Sequence, residues 1–247
     1  MELRSGERLD DLGRGGLRII QHPERFPFAI DAILLAHWVR VRPTDRVIDL
    51  GTGGGIIPLL LAALHPAISL TGLEIQPVTA EMAGRSVTLN GLGDRICIDC
   101  GDWRSATERY GFESFDLVTM NPPYREVGTG GVSPTQGRAT ARHELESSLG
   151  EAVEAAGRLV RYGGRVGLVF LAERLVDLLG ALRTSRLEPK RMRLVLPRAG
   201  RSANLVLVEA VKGGRPGLTC EAPLVVWAEG QCYTPEMQAI YDGAVEP

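Results

Sequence analysis

Four consecutive residues, Asn121-Pro122-Pro123-Tyr124, bring together an amide oxygen, two ring-locked backbone units and a flat aromatic face. An aromatic exocyclic amine is a poor nucleophile because its lone pair is delocalised into the ring. Two acceptors placed on its N–H groups favour a tetrahedral nitrogen with that lone pair available. The side-chain oxygen of Asn121 is one such acceptor, and the backbone carbonyl of Pro122 is the other. Pro122 pushes Asn121 out of the α region, and both prolines fix φ. Tyr124 offers a face on which a planar base stacks, worth ~1–3 kcal/mol. Positioning supplies much of the rate in such a transfer. No strong general base is needed, because the proton becomes acidic once the nitrogen is alkylated. The bare tetrapeptide also describes a proline-stiffened loop after a strand, so its neighbours decide.

A second constellation is Asp49-Leu50-Gly51-Thr52-Gly53-Gly54-Gly55. Glycines at the carboxyl end of a strand admit positive φ and let the backbone approach a ligand closely. The helix that follows offers free N–H groups to an anionic group, such as the carboxylate of S-adenosylmethionine. Position 56 is Ile56, where a dinucleotide fingerprint needs Gly, and no Gly-Lys-Ser/Thr follows for a phosphate loop. Gly51 and Gly53 are therefore the expected contacts of a cofactor without phosphate. Glu74 ends the next strand, where a carboxylate can accept from ribose hydroxyls. Asp102 follows the third strand and is placed for an adenine edge. Either acid alone reads as a surface carboxylate; their joint placement after successive strands favours the cofactor. Asp49 is expected to organise the loop or to meet the ammonium of the cofactor, and Asn121 is expected among the cofactor contacts too.

The elements that position these residues alternate. Strands are expected at 46–50, 69–74, 95–100, 116–120 and 165–171, with helices at 28–40, 56–64, 77–90, 145–159 and 173–182. Two late strands, 191–196 and 205–211, have no helix between them, and 224–228 is a further candidate. Alternation of this kind means a parallel sheet covered on both faces, and the late pair means an antiparallel hairpin at one edge. The Gly-rich stretch 125–137 is expected to close over the substrate as a lid. Residues 1–25 read as a polar, Arg-rich arm with a short apolar stretch at 17–20.

With 247 residues, no composition break and no repeat, one domain over 1–247 is expected, with an arm and helix over 1–45 and the sheet core over 46–247. The net charge of −2 excludes a strongly basic, nonspecific nucleic-acid binder. Its cations are nearly all arginine, with Lys190 and Lys212 the two lysines. Seven cations but a single opposing Glu188 lie within 183–201, which reads equally as an RNA-phosphate footprint or a solvated edge. No leader or membrane-length apolar run is seen, so a cytoplasmic protein is expected. Cys97 and Cys100 point to opposite faces of a strand, and no second pair has zinc-site spacing, so no metal is expected.

Around the tetrapeptide, three further stretches narrow the reading: Glu7-Arg8-Leu9-Asp10-Asp11-Leu12, Phe26-Pro27-Phe28-Ala29-Ile30-Asp31-Ala32, and Ala141-Arg142-His143-Glu144. Together these resemble the bacterial tRNA1(Val) adenine-37 N6-methyltransferase family, from about residue 7 to Tyr233. The resemblance implies an α/β, Rossmann-like class I methyltransferase fold. That fold has a mostly parallel seven-stranded sheet, an antiparallel edge hairpin and helices on both faces. It also implies S-adenosylmethionine as methyl donor and tRNA as substrate, with the methyl group passed to N6 of the adenine beside the anticodon. Phe28 and Asp31 are then expected near the cofactor. Asn121, Pro122 and Tyr124 would hold the target base, with Arg142 and His143 at the RNA. Read from residues alone, the 28–40 helix could equally cover a sheet edge, and His143 could be a plain surface residue. Families sharing the tetrapeptide also modify other nucleobases in ribosomal RNA or DNA, or a glutamine side chain of a protein, so these remain alternatives. A noncatalytic cofactor- or RNA-binding protein is the remaining alternative, with a broken tetrapeptide as its expected mark.

Overall fold

The computed structural model describes residues 3–13, 16–22, 30–122 and 149–242. The chain opens with β1 (Arg8–Asp11), β2 (Arg18–Gln21) and α1 (Ile30–Trp38). It continues through β3 (Arg46–Leu50), α2 (Ile56–Leu64), β4 (Ser69–Glu74), α3 (Pro77–Leu89), β5 (Ile96–Cys100), α4 (Ala106–Tyr110) and β6 (Phe115–Met120). After a helix α5 over 149–159 come β7 (Val160–Leu171), α6 (Leu175–Thr184), β8 (Leu187–Arg198) and β9 (Leu205–Lys212). Two short strands, β10 (Thr219–Cys220) and β11 (Leu224–Trp227), and a last helix α7 (Pro235–Asp242) complete it.

The central sheet runs β10-β8-β9-β7-β6-β3-β4-β5, with β11 also paired to β8. Among its described strands only β9 runs against the rest. This is the mixed α/β architecture that the alternation implies. The seven expected strands are present, β11 answers to the further candidate at 224–228 and β10 is an added strand, both on the β8 side, so the β8–β9 hairpin is not outermost. Parallel strands covered on both faces must be apolar almost throughout, and four of the five residues of β3 are buried. One face packs on α1, α2 and the N-terminal hairpin, and the other on α4, α5 and α6.

The sheet order reverses at β3. The chain moves outward through β4 and β5, then returns to β6 on the other side of β3. A crevice forms at the carboxyl end of such a reversal because the two neighbouring connections leave in opposite directions. The Gly-rich loop leaves β3 there, and Asn121 and Pro122 leave β6 there.

The polar arm is more ordered than its sequence suggests. β1 and β2 pair antiparallel, and the hairpin is fastened to α3 by groups far along the chain. The Ile20 N–H donates to Ser86 Oγ at 3.0 Å. Asn90 accepts from the Arg18 N–H at 2.9 Å and donates to the Arg18 carbonyl at 2.7 Å. Glu7 pairs with Arg85, and Arg4 with Glu81. Other boundaries move less. The 28–40 helix is seen from Ile30 to Trp38, β7 starts at Val160 and β8 at Leu187.

A row of residues in register crosses the sheet on the α1 face: Gly72, Asp49, Thr119, Gly167, Glu209 and Arg191. Gly167 is the seat of α1. A Cβ there would run into Val39 Cγ1. Val is stiff at χ1, so the helix end would have to shift. Gly167→Ala is therefore expected to destabilise the fold by ~1–3 kcal/mol through overpacking. Urea unfolding checks this, and an unchanged midpoint would mean that α1 is not seated on this glycine.

Candidate cofactor loop and amine site

The loop after β3 is built on alternate glycines in the left-handed region: Gly51 at φ +70, Gly53 at +55 and Gly55 at +84. Only glycine takes these values without strain. The turn folds back on β4, with the Gly51 and Thr52 N–H groups both donating to the Leu73 carbonyl at 2.8 and 3.1 Å. A Cβ on Gly53 would meet nothing within 4 Å, so this residue faces open space. α2 then begins with no side chain capping its free N–H groups. The loop therefore offers backbone donors and room beside them, as a small anionic group needs.

Asp49 lies beneath that loop. Thr119 Oγ1 donates to Asp49 Oδ1 at 2.8 Å in a buried contact between β3 and β6. Asp49 Oδ2 and Thr52 Oγ1 are buried and form no hydrogen bond of good geometry. Burial pushes the Asp49 carboxyl up to about 7. The nearby Thr52 and Thr119 hydroxyls pull it down, and the charge of Glu74 adds to the rise. The second oxygen is suited to a cation arriving with a ligand, so the residues fit an S-adenosylmethionine ammonium at this position.

Glu74 ends β4, and its two oxygens accept from the Gly53 and Gln76 N–H groups, both at 2.9 Å. The same carboxylate thus shapes the glycine loop and keeps lone pairs for a further donor. Gly101 N–H donates to the Glu74 carbonyl at 2.9 Å, which brings the loop after β5 alongside. Asp102 follows, but Arg104 already occupies it. The Nε and backbone N–H of Arg104 each donate at 2.9 Å, and these bonds hold the carboxyl below its ordinary range despite partial burial. Asp102 therefore serves first as the cap of the short 3₁₀ turn Trp103–Ser105. The neighbour that sequence reasoning missed is Trp103. Its Cζ3 lies 3.1 Å from where a Gly51 Cβ would stand, so the indole is laid against the loop. An aromatic directly after Asp102 was the available signal.

Asn121 and Pro122 leave β6 two and three residues after Thr119, at the same sheet end as the glycine loop; Asn121 is half-buried and Pro122 buried. Asp31 stands in the first turn of α1, buried, with Oδ1 accepting from the Ala32 N–H at 2.8 Å. α1 returns the chain to the amino end of β3, so its first turn points toward the carboxyl ends. The structure thus gathers Asp49, Gly51, Gly53, Glu74, Asp102 and Asn121 at one sheet end. Phe28, Tyr124, Arg142, His143 and the 125–137 stretch lie outside the described residues.

The basic stretch 183–201 is not a free patch. Arg183 pairs with Glu188, Arg191 with Glu209 and Glu221, and Arg193 with Glu236. Arg198 donates to the Ala228 and Gly230 carbonyls at 2.6 and 2.5 Å. Arg191, Arg193 and Arg198 bind the C-terminal segment to β8, so these three cations of the stretch, read equally as RNA footprint or solvated edge, are internal fastenings. Cys97 and Cys100 both lie on β5 as free, exposed thiols.

Asp49 has a consequence for stability. Its folded value near 7 lies above the ordinary 3.8, so its contribution is fully present below the unfolded value and is lost as pH rises through about 7. At pH 8 the fold must bury a charge. Asn at this position cannot ionise. The melting temperature of Asp49→Asn relative to the parent is therefore expected to climb between pH 6 and pH 8. A difference that stays flat across that range would refute the buried, elevated carboxyl.

Comparison with known proteins agrees with this geometry. The family described as Methyltransferase small domain matches residues 29–169. A Porphyromonas gingivalis protein named tRNA1(Val) (adenine(37)-N6)-methyltransferase is 33% identical over 66% of this chain, and the match spans 65% of its own length, just under two thirds. An Aeromonas salmonicida protein of the same name is 31% identical over 83% of this chain and 84% of its own. A crystal structure of a predicted O-methyltransferase from Agrobacterium tumefaciens superposes with a TM-score of 0.70 at 28% identity, covering 86% of this chain and 96% of that one. A glycine loop and the Asn121-Pro122 pair at one switch point, a matching family profile over more than half the chain and these relatives converge: the chain belongs to the methyltransferase small domain family, alongside the tRNA1(Val) (adenine(37)-N6)-methyltransferases.

Proposed function

We propose that this protein transfers the methyl group of S-adenosylmethionine to N6 of adenine-37 in tRNA(Val). The observation that carries the reading is the shared position of two loops. The glycine loop leaves β3 and Asn121-Pro122, the start of the amine tetrapeptide, leave β6, the two strands in register and joined by the Asp49–Thr119 hydrogen bond. When bound, the cofactor supplies an electrophilic methyl on sulfonium. The glycine-loop N–H groups orient its carboxylate and Asp49 its ammonium. Glu74 accepts from ribose hydroxyls. Asp102 retains acceptor capacity toward an adenine amine, and Trp103 with the exposed Ile75 supplies apolar surface for the ring. By resemblance, Phe28 and Asp31 close the cofactor side, while Arg142 and His143 meet the RNA.

Asn121 and the Pro122 carbonyl hold the two N–H groups of the target amine, and Tyr124 stacks on the base. An adenine in an anticodon loop is already single-stranded, so it can be splayed out at low cost. The whole chain acts as one unit in this scheme, the 1–45 arm and helix included, in the cytoplasm. Among the described residues no helix is long and apolar enough to cross a membrane. The relatives' shared name favours tRNA over the alternative acceptors, which are another nucleobase in ribosomal RNA or DNA and a protein glutamine.

The deciding experiment uses purified protein, labelled S-adenosylmethionine and unmodified bulk tRNA, with nucleoside mass spectrometry of the product. N6-methyladenosine in a single tRNA species is expected. Loss of one preorganised hydrogen-bonding group from a reacting centre costs about 10²–10³ in rate. Asn121→Ala should lose at least that much in kcat while keeping cofactor affinity. Transfer that survives the change would sink the amine-site assignment; transfer only to ribosomal RNA, DNA or a protein would move the substrate and keep the chemistry.

A further inference from the structure

Cations also gather at the amino ends of the strands, where only some of them are used up as fastenings. A cavity of about 400 Å³ opens there between the end of α1, the starts of β7 and β8, and the C-terminal segment. Its floor is Arg165 and Arg191, whose side chains are only 9% and 10% exposed. Arg165 is paired with Asp45. Arg191 donates to Glu221 at 2.7 Å, sits 3.4 Å from Glu209 and lies 4.3 Å over the Trp38 ring. These contacts fix both guanidiniums in place.

The rim differs. Arg40 and Arg42 are exposed at the cavity mouth, and among the described residues neither side chain makes a hydrogen bond or ion pair. Their backbone N–H groups hold Glu209 and Asp45 instead, at 3.3 and 2.7 Å. Lys190 uses one of its three donors on the Arg215 carbonyl at 2.9 Å. Five cations therefore face Glu209, Glu221 and the Asp45 behind Arg165, which leaves two positive charges unmatched. A concave site with fixed guanidinium forks and surplus positive charge recognises tetrahedral oxyanions, phosphate above all.

We propose that this cavity binds a phosphate group, held by Arg40, Arg42 and Lys190 over the Arg165–Arg191 floor. Three strand spacings across the sheet and two to four residues along it separate the cavity from Asn121, on the order of 20 Å. That is less than one helical turn of a nucleic acid duplex. A backbone phosphate of the RNA undergoing methylation is one source of the group, and a free phosphate or diphosphate anion is the other. The backbone source rests on the proposed RNA substrate; the anion chemistry does not.

The test is the double variant Arg40→Ala/Arg42→Ala, with Arg40→Lys/Arg42→Lys as control. Both positions are exposed, and a melting curve confirms the fold. One arm titrates inorganic phosphate and pyrophosphate calorimetrically. The other measures methyl transfer to an anticodon stem-loop against salt concentration. The alanine pair is expected to raise the RNA KM roughly tenfold with kcat held. It should also reduce the salt slope by ~0.7–0.9, the contribution of one neutralised phosphate. The lysine pair should recover much of both. An RNA effect identifies the backbone source. Anion binding abolished in the alanine pair, with RNA kinetics unchanged, identifies the free anion. Alanine and parent proteins that match in both arms overturn the proposal. If the parent methylates no RNA, the anion arm decides alone: pyrophosphate binding that depends on the arginine pair upholds the site, and its absence overturns it.

Discussion

The hydrogen bond from Thr119 to Asp49 is the joint on which this site depends. It ties β3 to β6 at the point where the sheet order reverses. One strand delivers the glycine loop and the other Asn121 and Pro122, so a slip between them would misplace both. The bond belongs to a row of polar and small residues that crosses a face otherwise made of Val47, Leu117, Val169, Leu207 and Val195. Polar groups survive in such a face when each finds a partner. Glu209 and Arg191 do so at one end, and Asp49 and Thr119 in the middle. The glycines in the row have a steric purpose. Side chains of Thr52 and Val39 already fill the space a Cβ would take at Gly72 and Gly167.

Legibility in the sequence followed the range of the forces involved. The strands and helices of the central sheet announce themselves because each is apolar with its own period, and the glycine loop because positive φ admits few other residues. The N-terminal hairpin was hidden: its anchoring groups, Ser86 and Arg85 on α3 and Asn90 at its C-cap, lie far along the chain, and nothing near residues 8–21 announces them. Asp102 shows the same limit. Its place after β5 was readable, but its capture by Arg104 depends on how the chain turns. Trp103 becomes meaningful only once its ring is seen against Gly51.

The arginines of 183–201 illustrate why clustered charge is a weak guide to binding. β8 would be a sheet edge, with unpaired backbone groups along one side, if β10 and β11 did not cover it. Both of these strands are very short. Guanidinium forks supply what two- and four-residue strands cannot. Arg198 caps two carbonyls beyond β11, Arg193 reaches α7, and Arg191 joins Glu221 to the sheet. Arginine suits this work because one side chain offers five donors in a rigid plane.

Asp49 connects the energetics of the fold to the proposed chemistry. A carboxyl buried at this depth, with one oxygen lacking a hydrogen bond, costs stability whenever it is ionised. An isosteric amide would avoid that cost. The proposed chemistry explains why an acid is useful here all the same. A ligand bearing an ammonium supplies the missing partner and brings the carboxyl back toward its ordinary range. The unfavourable energy of burying a lone carboxylate is then recovered as affinity for a cationic ligand over a neutral one. Burial raises the carboxyl to about 7, so near neutral pH its proton is given up at little energetic expense when a cation arrives. In the proposed reading the loop above it selects for charge through a side chain that its own glycines do not supply, and the chemical identity of the cofactor would be read from the sheet.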